Sequence, residues 1–153
     1  MDIRQAILTV FVAFAAASPA PAQAPDAPVR TALLEGRCDT LILAGQDASA
    51  GCRGAVVNAR YRSGRFSFMF MQEGAMTSFS GINPTGEAGR RRLTIDRITQ
   101  VSQADTTARP ATGLCEFGDI DAGPAEIRCA GRTEAGAFVG VFATGGPPTR
   151  ILE

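Results

Sequence analysis

The chain of 153 residues contains no histidine, no tryptophan and a single tyrosine, and all 15 of its basic side chains are arginine. These gaps remove whole classes of chemistry. Without histidine there can be no Ser-His-Asp triad, no Cys-His pair and no imidazole-ligated metal, and without lysine no Ser-Lys dyad or Schiff base. A carboxylate pair of the glycosidase kind, or water on a carboxylate-held metal, remains conceivable, but neither has a recognisable pattern here. The expectation is a protein that is not an enzyme.

Long apolar runs are also scarce. The clearest covers residues 6–17, short of the roughly 20 residues that a membrane-spanning helix needs. It follows Arg4 and precedes the small-residue site Ala22-Gln23-Ala24, the pattern of a secretory leader cleaved near Ala24. No cysteine stands at that point to take a lipid. The sequence therefore predicts a leader over 1–24, an N-terminal linker over 25–37, one domain over 38–144 and a tail over 145–153. The expected location is the periplasm or the exterior.

Charge is balanced overall, 15 basic against 15 acidic side chains, so no global field favours nucleic acid. Its distribution is uneven. Arg53, Arg60, Arg62, Arg65, Arg90, Arg91, Arg92 and Arg97 crowd the middle of the chain, whereas acids dominate after it.

Four cysteines in an exported chain imply two disulfides. Cys38 to Cys52 and Cys115 to Cys129 have identical spacing, which favours two local pairings over crossed ones. A zinc site with all four sulfurs is the rival reading, but such sites use closely spaced Cys pairs that are missing here.

The stretch from Cys52 to Ile82 reads as a three-stranded meander. Ser63-Gly64 and Glu73-Gly74 each suit a two-residue hairpin loop in which Gly supplies positive φ. Counting outward from these turns pairs Tyr61 with Phe66, Ala59 with Phe68 and Val57 with Phe70, then Phe70 with Thr77 and Phe68 with Phe79. Val57, Ala59, Tyr61, Phe66, Phe68, Phe70 and Phe79 would then share the core face. Val56, Met69, Met71 and Met76 would share the other.

Elsewhere, a strand is expected at residues 39–44 and a long one at 92–102 with Leu93, Ile95 and Val101 inward. A polar connection is expected at 103–113, a short strand at 114–117, and a hairpin from 126–133 to 137–143. About eight short strands without a helix predict an all-β fold, a small antiparallel barrel or sandwich stapled by two disulfides.

Three groups of residues are candidate sites. The loop 116–126 carries Glu116, Asp119, Asp121 and Glu126, oxygen ligands suited to a hard cation such as calcium or a lanthanide, although it lacks the EF-hand spacing. Met69, Met71 and Met76 offer clustered thioethers, which are soft ligands for Cu(I). The M-x-M spacing resembles that of the small periplasmic copper and silver chaperones with an OB-fold, but the His and Trp of that pattern have no counterpart here. Arg90-Arg91-Arg92, with Arg60, Arg62 and Arg65, forms a basic patch if the two turns lie together.

The function expected from these features is an exported, non-enzymatic accessory domain that binds another periplasmic or secreted protein. Met69, Met71, Met76 and Arg90 to Arg92 are its candidate contacts. A hard-cation binder and an inhibitor of a secreted enzyme are the alternatives.

Overall fold

The computed structural model describes residues 26–153, so the expected leader lies outside the described residues. In chain order the elements are β1 (Pro28–Leu43), β2 (Gln46–Asp47), a 3-10 turn (Ser49–Gly51), β3 (Cys52–Tyr61), β4 (Arg65–Gln72) and β5 (Ala75–Ile82). They continue with β6 (Thr85–Glu87), β7 (Arg90–Ser102), β8 (Thr106–Phe117), β9 (Glu126–Thr133), β10 (Gly136–Thr144) and β11 (Arg150–Leu152).

The strands β1, β3, β4, β5, β7, β8, β9 and β10 each pair antiparallel with the next, and β10 returns to β1. The result is a closed eight-stranded up-and-down barrel rather than a sandwich. Closure leaves no long unpaired edge; β2, β6 and β11 are short ribbons attached to β1 and β7. The strand expected at 39–44 and the linker expected at 25–37 form one 16-residue strand from Pro28, and the expected tail contributes β11. The sheet thus reaches beyond both expected domain boundaries.

Eight strands enclose a space just wide enough for side chains to fill. Here Phe66, Phe68, Phe70, Phe79, Phe117, Phe138 and Phe142 fill it together with Leu34, Leu41, Val56, Leu93, Ile95, Ile98 and Ile127. The rings meet edge-on or stacked, with Phe68 and Phe117 centroids 4.9 Å apart and Phe66 and Phe117 5.4 Å apart. Every phenylalanine among the described residues is buried, and the outer wall carries ion pairs such as Arg65–Asp96 at 2.7 Å and Arg92–Glu116 at 3.0 Å. A membrane barrel turns an apolar band with aromatic girdles outward. This wall has the opposite arrangement. Among the described residues no helix is long and apolar enough to cross a membrane.

The second hairpin has the expected register, with Phe70 opposite Thr77 and Phe68 opposite Phe79. The first does not. Arg60 stands opposite Phe66, Asn58 opposite Phe68 and Val56 opposite Phe70. The cause is a three-residue loop, Arg62-Ser63-Gly64, in which Gly64 N–H donates to Tyr61 O at 3.0 Å and Gly64 takes φ 85°. One extra loop residue turns every β3 side chain over. Val56, Asn58 and Arg60 therefore face inward, and Val57, Ala59 and Tyr61 face out beside Met69 and Ser67.

Two other strands change face within their own length. A bulge between Cys38 and Thr40 lets both Leu34 and Leu41 of β1 point inward. On β7 a register shift between Ile95 and Arg97 leaves Asp96 and Arg97 both exposed. Ile98, rather than Val101, is the next core residue. The polar segment expected as a connection is mostly strand β8, and the true turn is only residues 103–105. Its Pro110 lies opposite Arg97 at that same register shift, a place where the lost ladder donor is tolerated.

Both disulfides form as the spacing predicts, Cys38–Cys52 and Cys115–Cys129. The first closes the β1–β3 connection at one end of the barrel. The second crosses directly between β8 and β9, whose connection lies at the other end.

A core ring presses directly on the backbone at Gly140 on β10, where a Cβ would stand 2.5–2.8 Å from ring atoms of Phe70. Phe70 is fully buried against Phe79 and Phe142, so it has little freedom to retreat. Gly140→Ala should destabilise the protein by about 1–3 kcal/mol through overpacking. Denaturant unfolding of the variant beside Gly140→Ala/Phe70→Leu checks this. The double variant should recover part of the loss.

Candidate functional site

One end of the barrel, here called the mouth, gathers the β3–β4, β5–β7 and β8–β9 connections and the start of β1. The acidic loop between β8 and β9 folds across it as a plug. Asp119 organises the turn: its Oδ1 accepts from the N–H groups of Asp121 at 3.1 Å and Ala122 at 3.2 Å. Its carbonyl accepts from Gly123 N–H at 2.8 Å. The return leg is tied to the end of β10, since Ala125 N–H donates to Thr144 Oγ1 at 2.7 Å and Thr144 N–H to Ala125 O at 2.8 Å. Between these anchors Ile120 drops into the core and is 3% exposed.

Asp121 fixes the far side of the plug. Its carboxylate meets Arg30 of β1 at 2.9 Å and Arg60 of β3 at 2.8 Å, two side chains that the β1–β3 register places directly opposite each other. The Arg60 guanidinium also lies 5.5 Å from the centre of the Phe66 ring, a cation–π contact. Two guanidinium groups share one carboxylate, and the buried Nη1 of Arg30 and Nε of Arg60 have no hydrogen-bond partner among the described residues. Among the described residues, Glu153 is the other acid paired with Arg30, at 3.7 Å from its Nε.

The four carboxylates of the expected cation site have separate partners. Glu116 pairs with Arg92, Glu126 with Arg128, Asp121 with Arg30 and Arg60, and Asp119 is used inside its own turn. The four carboxylates do not converge. Among the described residues no three acidic or other ligating side chains are grouped to hold a metal ion. Arg128 is a near neighbour of Glu126 in sequence, whereas Arg92, Arg30 and Arg60 are brought to Glu116 and Asp121 from far upstream.

The arginine triplet lies on the other flank of the plug. Arg91 stands opposite Phe117 and Arg92 opposite Glu116, and the Arg91 guanidinium sits 5.8 Å from the centre of the Phe117 ring. Between Gly89–Arg92 and the plug runs an open groove of about 680 Å³, with Phe117, Pro124 and Arg128 also on its walls. A second cavity of about 350 Å³ extends from Arg91 past Ile120 to Asp121. Among the described residues Arg90 and Arg91 form no ion pair. The larger patch expected from the sequence is divided, because Arg60 turns into the mouth and Arg65 is held by Asp96 through contacts of 2.7 and 3.1 Å. The chain matches no protein-family model, no curated protein and no solved structure.

The methionines stand apart from this site. Met71 pairs with Met76 as expected, with Met69 on the same outer face. Met71 and Met76 flank the β4–β5 turn, at the end of the barrel opposite the mouth. Met69 and Met76 line a shallow groove of about 370 Å³ with Tyr61, Ser67, Ser78 and Ser80. The expected contact residues therefore belong to two separate surfaces.

Sequence reasoning missed one feature of the mouth. Val29, Ile82, Ile151 and Leu152 are exposed large apolar side chains, and all four lie at this end. Only a pairing of β11 with β1 brings the last residues of the chain there.

The Asp121 clasp has a pH signature. Burial pushes its carboxyl up, but the hydrogen bond and charge of Arg60 and the charge of Arg30 outweigh burial and hold it below the ordinary value. A folded-state value below the unfolded one gives stability that is complete above the ordinary Asp range and is lost as pH falls through the folded value. Asp96, lowered by its hydrogen bond to Arg65, contributes in the same window. The thermal midpoint should therefore fall as pH drops from about 5 towards 2. Asp121→Asn should be less stable than wild type near neutrality and show a shallower acid slope. Parallel acid profiles for the two proteins would refute the clasp.

Proposed function

We propose that this is an exported, non-catalytic binding domain whose mouth end engages an acidic segment of another periplasmic or secreted protein. The observation that carries this reading is the pair of guanidinium groups, Arg90 and Arg91, that have no ion pair among the described residues and stand at the wall of the groove of about 680 Å³. Every other charged group at that groove is already paired or used in the turn. An incoming carboxylate would meet planar donors able to bind it in a bidentate manner.

Two features favour a protein over a free ion. The exposed apolar side chains Val29, Ile82, Ile151 and Leu152 surround the same end, and interfaces combine apolar contacts with arginine anchors. The groove is open, and the barrel interior is already filled by phenylalanine, so contact at the rim is the geometry on offer. Two disulfides suit an oxidising compartment. The lack of histidine and lysine supports the non-catalytic part of the reading.

A labelled hexaglutamate peptide serves as a defined probe in fluorescence anisotropy. Wild-type protein should bind it in a salt-sensitive manner, and Arg91→Glu should weaken binding several-fold without lowering the thermal midpoint. Met71→Glu, at the opposite end, should bind as wild type does. Equal binding by the wild type and Arg91→Glu would contradict this assignment.

A further inference from the structure

The mouth holds an ionic arrangement that the plug alone does not explain. Arg30 and Arg60 come from neighbouring strands, point to the same spot and are largely buried, yet they share the single carboxylate of Asp121. Glu153, well exposed, is a further acid at 3.7 Å from Arg30, yet among the described residues two buried N–H groups, one on each arginine, lack an acceptor. Burying an arginine costs least when all its donors are matched, and here they are matched only in part. The shared partner of the two arginines, Asp121, is itself accessible, lining the cavity that begins at Arg91, with its side chain 44% exposed.

We infer that Arg30 and Arg60 form a carboxylate-recognition site, and that Asp121 is its resident occupant, exchanging with an acidic side chain of a binding partner. Asp121 holds the site in the absence of a partner and keeps the plug across the mouth. An incoming Glu or Asp competes for the two guanidinium groups and displaces the exposed carboxylate of Asp121. The plug segment around Asp121 is then released, while Asp119 still holds its own turn and Ala125 remains tied to Thr144. The exchange conserves charge, because one carboxylate replaces another. The site is therefore compatible with reversible binding.

The inference rests on the acidic-partner reading only for the identity of the incoming group, and its first test does not use a partner. Asp121→Ala removes the resident carboxylate and leaves room for a small one. The thermal midpoint of this variant should rise by a few degrees in sodium acetate over sodium chloride at equal ionic strength. Wild type and Asp121→Ala/Arg60→Gln should show no such difference. Equal responses in all three proteins would overturn the site while leaving the Arg91 assignment standing; acetate rescue with no effect of Arg91→Glu on the peptide probe would do the reverse. If Asp121→Ala does not fold, hydrogen exchange of wild type decides. Exchange across residues 118–125 should accelerate on adding hexaglutamate, and unchanged exchange in that segment at saturating peptide overturns the inference.

Discussion

The structure depends on closing eight strands around a set of large side chains that leaves no spare room. Seven phenylalanines occupy the interior, and the backbone adjusts to them at Gly140, where even a methyl group would collide with Phe70. Such a barrel gains its stability from buried aromatic area and from the absence of edges. It also gives up the central cavity that an eight-stranded barrel can offer a ligand. Whatever this protein recognises must be met at an end or on the outer wall.

The two ends are finished differently. At the end away from the mouth, the Cys38–Cys52 bridge and short turns close the connections. At the mouth, the β8–β9 connection is long enough to fold back over the opening, and the Cys115–Cys129 bridge ties the strands at its base. Ile120 supplies the apolar contact and Asp121 the polar one. The same loop forms one wall of the groove that faces Arg90 and Arg91. Closure of the barrel and exposure of the arginine pair are thus controlled by one segment.

The features legible in the sequence were those set by neighbours in the chain. Equal Cys spacing gave the disulfides, and Glu73-Gly74 gave the second hairpin. The first hairpin was lost by one residue, because Ser63-Gly64 serves a three-residue loop as readily as a two-residue one. The strand β8 was hidden by Pro110 and by a run of small polar residues, since its pairing with β7 and β9, rather than its own propensity, makes it a strand. The acidic loop was legible as a cluster of carboxylates, but the partners of Asp121 were not. Its counter-charges, Arg30 and Arg60, lie far upstream, and Arg60 was expected in a surface patch because the assumed register turned it outward. A single loop residue therefore separated a solvent-facing arginine from the partner of Asp121.

The most direct test of this account is a double-mutant cycle between Arg60 and Asp121, using Arg60→Gln, Asp121→Asn and the double variant in denaturant unfolding at neutral pH. Direct pairing across the mouth predicts a coupling energy on the order of 1 kcal/mol, with the double variant less destabilised than the sum of the single ones. Strict additivity would mean that the two side chains do not meet. The plug would then have to be held by Arg30, Ile120 and the Thr144 contacts without Arg60.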